Sequence, residues 1–84
     1  MTPIQQAFIY SWENSLLQEI QNCLACNNIK VTMTVLDTLS NRASDIVTEV
    51  SNNIPIDAKL TDMHIYNKQC SEKIEDMIVN TRHE

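Results

Sequence analysis

The chain contains no glycine among its 84 residues, and that absence removes whole classes of fold and function. A glycine-rich phosphate loop, a G-x-G-x-x-G dinucleotide fingerprint and an Asn-Gly hairpin are all excluded. Where the backbone must enter the left-handed region, asparagine is the next best residue. Two asparagine pairs, Asn27-Asn28 and Asn52-Asn53, each close a long stretch in which apolar residues recur at helical spacing. The chain therefore reads as three helices joined by short turns.

The first helix is expected over 3–26. Thr2 is placed as N-cap, Pro3 occupies the first helical position where a missing N–H costs nothing, and Gln5 completes a capping box. Ile4, Phe8, Ile9, Trp12, Leu16, Leu17, Ile20, Cys23 and Leu24 then recur by threes and fours up to the asparagine stop. The second segment opens ambiguously, because Ile29, Val31, Met33 and Val35 alternate with Lys30, Thr32 and Thr34 as in a strand. A helix over 29–51 accounts for more residues: Ile29, Met33, Leu36, Ser40, Ala43, Val47, Val50 and Ile54 step strictly by four and three, with Leu39 and Ile46 beside them. A lone strand would also lack a partner. Pro55 forces Ile54 out of helical geometry and is placed at the start of a third helix over 55–80. Its stripe is Ile56, Leu60, Met63, Asn67, Cys70, Ile74, Met77 and Thr81, with Asp57 and Asp62 early and Arg82 late, as the helix dipole prefers. Helices of nearly equal length, roughly 35 to 40 Å at 1.5 Å per residue, with short turns predict an all-α, three-helix antiparallel (up-down-up) bundle. The variant considered beside it is a helical hairpin with the third helix docked on a partner.

Composition bounds what such a bundle does. Apolar residues make up 43% and charged residues 20%, an ordinary globular balance, and the length allows one domain, 1–84. A domain this small buries only about 60 to 65% of its unfolded surface, so a partner would add needed stability. The formal net charge is −5, from six Lys and Arg against eleven Asp and Glu. With no basic cluster, nucleic acid is not expected as a partner, and the acids are too interleaved with bases for a DNA mimic. Neither a run of membrane-spanning length nor a signal-peptide start is present, and three cysteines is an odd number. These features predict reduced thiols in a cytoplasmic chain with no membrane contact.

The chemistry-bearing residues are sparse. Cys23 and Cys26 form a C-x-x-C, which is half a zinc site or a redox pair; the remaining ligands would have to come from Cys70, His64 or His83, none at metal spacing. Small buried hydrophobes are the expected role for these cysteines, and solvated surface positions for the two histidines. Glu72, Glu75 and Asp76 are interleaved with Lys68 and Lys73 as a solvated charged face. No nucleophile context is visible, so neither an enzyme, a cofactor nor a small-molecule substrate is expected. Ser40 and Asn67, polar at core-type positions, are candidates for fixing register or partner choice.

Helix 1 carries the main functional expectation. Its apolar arc, from Phe8 round to Leu17 and Tyr10, covers about 200°, wider than a single packing seam requires. Three of the four aromatic residues fall within Phe8 to Trp12, and aromatics with few charges match the composition of interface cores. Phe8, Ile9, Trp12, Leu16 and Ile20 are accordingly expected to bind another protein or a second copy of the chain. The function predicted is a non-enzymatic binding module acting through an apolar helical face: a small chaperone or adaptor, by analogy of size and composition with those of secretion apparatus, or a self-assembling protein. A phage- or mobile-element-encoded inhibitor or antitoxin is the alternative, and a Cys-based metal or redox sensor the third reading.

Overall fold

The computed structural model describes residues 1–81 and holds three α-helices. Helix α1 spans Pro3–Cys26, α2 spans Met33–Asn52 and α3 spans Met63–Asn80. Each packs against the other two, giving an all-α bundle of 43 × 19 × 18 Å. Side-chain bonds fix the directions. Gln5, near the start of α1, donates through Nε2 to the Ser51 carbonyl at the end of α2 (2.9 Å), so α1 and α2 are antiparallel. Trp12 and then Glu19 of α1 meet Asn67 and then Ser71 of α3, so these two helices run the same way.

Helix α1 begins and ends where its sequence signals lie. The Thr2 hydroxyl accepts from the Gln5 N–H, and the Gln5 side chain accepts from the Thr2 N–H, which satisfies two donors the helix start would otherwise leave open. At the far end Asn28 adopts φ 56°, the left-handed conformation. The Ile29 N–H then reaches the Leu24 carbonyl (2.9 Å) and the Asn28 N–H the Ala25 carbonyl (3.2 Å), a Schellman closure built without glycine.

The other two helix starts differ from expectation. Residues 29–32 form neither helix nor strand, and α2 begins at Met33. Thr32 is extended and its hydroxyl caps the Val35 N–H, and a hydroxyl that serves the backbone in this way competes with helix through its own position. Helix α3 begins at Met63 rather than Pro55. Between them the Ala58 N–H closes a turn on the Pro55 carbonyl, and the Asp62 carboxylate accepts from the N–H of an extended Lys59, leading into a single 3-10 turn at Leu60–Asp62. Ile56 is 89% exposed and Leu60 57%. Short helices draw their stability from burying a face, and nothing rewards extending α3 over two exposed apolar residues. The helices are therefore unequal, at 24, 20 and 18 residues.

One core fills the bundle. It is made of Ile4, Phe8, Trp12, Ile20, Cys23 and Leu24 from α1, Leu39, Ala43, Val47 and Val50 from α2, Ile54 from the link, and Cys70, Ile74 and Ile78 from α3. Ser51 is buried with them, its carbonyl bonded to Gln5 but its hydroxyl unpartnered. Among the described residues the ion pair is Lys73–Glu49 (3.6 Å), too exposed to contribute much. No helix among them is long and apolar enough to cross a membrane.

Candidate functional site

Helix α1 lies between α2 and α3, and this divides the residues expected to bind a partner. Phe8 and Ile20 have no exposed surface and Trp12 keeps 7%, so all three are core residues and not a free face. The correction has a simple cause: with two neighbours to satisfy, α1 buries most of its apolar arc within the chain. Trp12 is held on both sides. Its ring meets Phe8 in a tilted contact with centroids 6.3 Å apart, and its indole N–H donates to Asn67 Oδ1 at 3.0 Å. Asn67, considered above as a register residue, is half-buried on α3 and makes this bond within the chain. Ser40 is half-buried on α2.

Ile9 and Leu16 remain half-exposed. They line, with Trp12 and Val47, a shallow cavity of about 80 Å³ between α1 and α2, whose polar rim is Glu13, Ser44 and Thr48. Beyond Glu13 stand Tyr10, 70% exposed, and Leu17, 52% exposed. Positions 10, 13 and 17 are three and four residues apart, so these side chains share one ridge of α1, and of the three Glu13 lines the cavity. The opposite wall is small and uncharged: Ser44 and Thr48 are exposed, and the Thr48 hydroxyl turns back to the Ser44 carbonyl. The breadth of the α1 arc was the sequence signal that one face would be left over. The part left over is Ile9, Tyr10, Leu16 and Leu17; the α2 wall of Ser44, Val47 and Thr48 carried no such signal, because it exists only through the pairing of two helices.

The cysteines are split between core and solvent. Cys23 and Cys70 are buried and Cys26 is exposed; all three are free thiols. Burial, with Glu19 adding a smaller contribution to both, pushes the Cys23 thiol up to about 11 and Cys70 up to about 12. Both are held in the protonated form that binds metal and attacks disulfides least well. No group of three His, Cys, Asp or Glu residues among the described ones is placed to hold a metal. His64 is exposed, with Nδ1 2.9 Å from the Thr61 carbonyl; His83 and Arg82 lie outside the described residues. Glu72, Glu75, Asp76 and Lys68 are exposed on α3, while Lys73 reaches across to Glu49 of α2. Glu19 faces α3, where its carboxylate accepts a hydrogen bond from the Ser71 hydroxyl.

No protein-family model matches the chain, and neither a curated protein nor a solved structure is significantly similar to it.

Proposed function

We propose that the chain is a non-enzymatic protein-binding module, a small chaperone or adaptor that receives an apolar side chain of another protein in the groove between α1 and α2. The observation that carries this reading is the cluster of Ile9, Leu16, Tyr10 and Leu17 left at the surface around a cavity floored by Trp12. Exposed apolar and aromatic residues gathered around a polar rim are characteristic of interaction sites. The cavity's size supports the same reading. At about 80 Å³ it is well below the roughly 300–1,000 Å³ of small-molecule pockets, and it suits one aliphatic side chain. The thiol-sensor reading draws no support from two buried, hard-to-ionise thiols and a third exposed far from metal geometry.

The test uses the whole chain as bait against an extract of its native host. A protein retained by the wild type should be lost, or bound at least tenfold more weakly, by the Tyr10→Ala, Leu17→Ala double variant, since interface hot spots cost about 2 kcal/mol or more each. Both side chains are exposed, so circular dichroism should show unchanged helicity. Equal retention by the two baits would sink the groove as the binding surface.

A further inference from the structure

We infer that the groove's occupant is a basic amphipathic helix of another protein, an aliphatic side chain seated over Trp12 with Lys or Arg on either side of Glu13. The inference rests on the groove reading above and adds the chemistry of the partner.

Charge separates this partner from a second copy of the chain. Helix α1 carries no Lys or Arg, and its acids are Glu13 and Glu19. Glu19 is engaged with Ser71 on the α3 side, which leaves Glu13 as the charge lining the groove, without an ion-pair partner among the described residues. Seven residues before Ser44, and so on the same stripe of α2, lies the exposed Asp37. The one base of α2, Arg42, is turned to Thr81, the C-cap of α3 (3.5 Å), and away from the groove. The face is thus apolar with acidic edges. In a two-fold contact between copies each groove would meet the same acidic rim with no cation to offset it, on molecules that already carry a net charge of −5. A cationic partner converts the same rim from repulsive to attractive.

Backbone hydrogen bonding separates a helix from an extended segment. A strand binds by pairing its main chain with an unpaired edge, and both walls here are α-helices whose amides and carbonyls bond within each helix. Strand addition therefore has no edge to use here, whereas a helix arrives with its own backbone satisfied and needs none. Such a helix would lay anchors three or four residues apart over Ile9, Leu16 and the small Ser44–Thr48 wall that line the cavity.

The probes are three synthetic 18-residue helical peptides with the same leucine face and a polar face of lysine, glutamine or glutamate. Trp12, the only tryptophan, reports entry into the groove by its emission, and light scattering reports stoichiometry. The lysine peptide should bind one-to-one, shift Trp12 emission, bind at least tenfold more tightly than the glutamine peptide, and weaken as salt is raised. Glu13→Gln should lose about fivefold for the lysine peptide and nothing for the glutamine peptide. Glu72→Gln, on α3, should change neither, which separates the groove from general attraction to an acidic protein. Equal binding of the lysine and glutamine peptides, or indifference to Glu13→Gln, overturns the charge assignment and leaves the groove reading standing. No Trp12 response to any peptide overturns both, and a dimer of the chain lost in the Leu17→Ala variant assigns the groove to a second copy instead.

Discussion

Trp12 and the two buried thiols show how single residues divide between holding the fold and facing outward. The Trp12 indole is anchored by Asn67 and Phe8, yet its ring also floors the cavity, so one side chain joins core to surface. Cys23 and Cys70 face inward only. Because burial raises their folded pKa to about 11 and about 12, the folded chain keeps protons that the unfolded chain gives up once pH passes the ordinary thiol range. Their contribution to stability is complete below about pH 9 and is lost as pH climbs through 11 and 12. Two results are expected. At pH 8 a thiol reagent should label Cys26 rapidly and the other two only after denaturant is added; rapid labelling of all three would contradict the burial described. The denaturation midpoint should fall between pH 9 and 11, and fall less steeply in Cys70→Ala.

At the scale of elements, two identical Asn-Asn stops reach different ends. Asn28 takes the left-handed conformation and completes a Schellman closure. Asn53 stays right-handed (φ −91°), with its N–H bonded to Glu49 and Val50 and its side-chain amide on the Glu49 carbonyl. The difference follows from what comes next, since Pro55 and the buried Ile54 already direct the chain out of the helix. Asn28→Ala should therefore cost about 1 kcal/mol, as alanine tolerates the left-handed region less well than asparagine does. Asn28→Gly should lie within a few tenths, and Asn53→Ala should cost less than Asn28→Ala. Urea unfolding of the three variants checks the order, and equal losses at 28 and 53 would refute it. The ends of α1 were legible because their signals are local: a threonine, a proline and a glutamine at one end, an asparagine at the other. The starts of α2 and α3 were not, because Thr32 and Asp62 use their side chains to close turns that the four-three apolar spacing runs straight through.

Over the whole molecule, one core must hold three helices with little reserve. At about 0.05–0.15 kcal/mol per residue, a domain of this length has roughly 4–12 kcal/mol of total stability. Phe8→Ala removes the largest fully buried side chain and should cost about 3–5 kcal/mol, enough to lower the melting temperature sharply or abolish a cooperative transition. Tyr10→Ala, on the same helix two residues on, should stay within about 0.5 kcal/mol of wild type. Thermal melts of the two variants test the division of α1 into a core side and an outer ridge, and similar losses would show that the ridge is also structural.

The sequence by itself determined that the chain is helical, where α1 begins and ends, and that about three helices share one core. Those properties come from periodicity and end signals that act within a few residues. Which part of the α1 arc stays at the surface was decided by the tertiary structure. Helical spacing marks which residues are apolar on one side of a helix, but exposure depends on how many neighbours cover that side. Two neighbours bury Phe8, Trp12 and Ile20, and the same packing leaves Tyr10 and Leu17 outside, beside a groove whose second wall lies some thirty residues further along the chain.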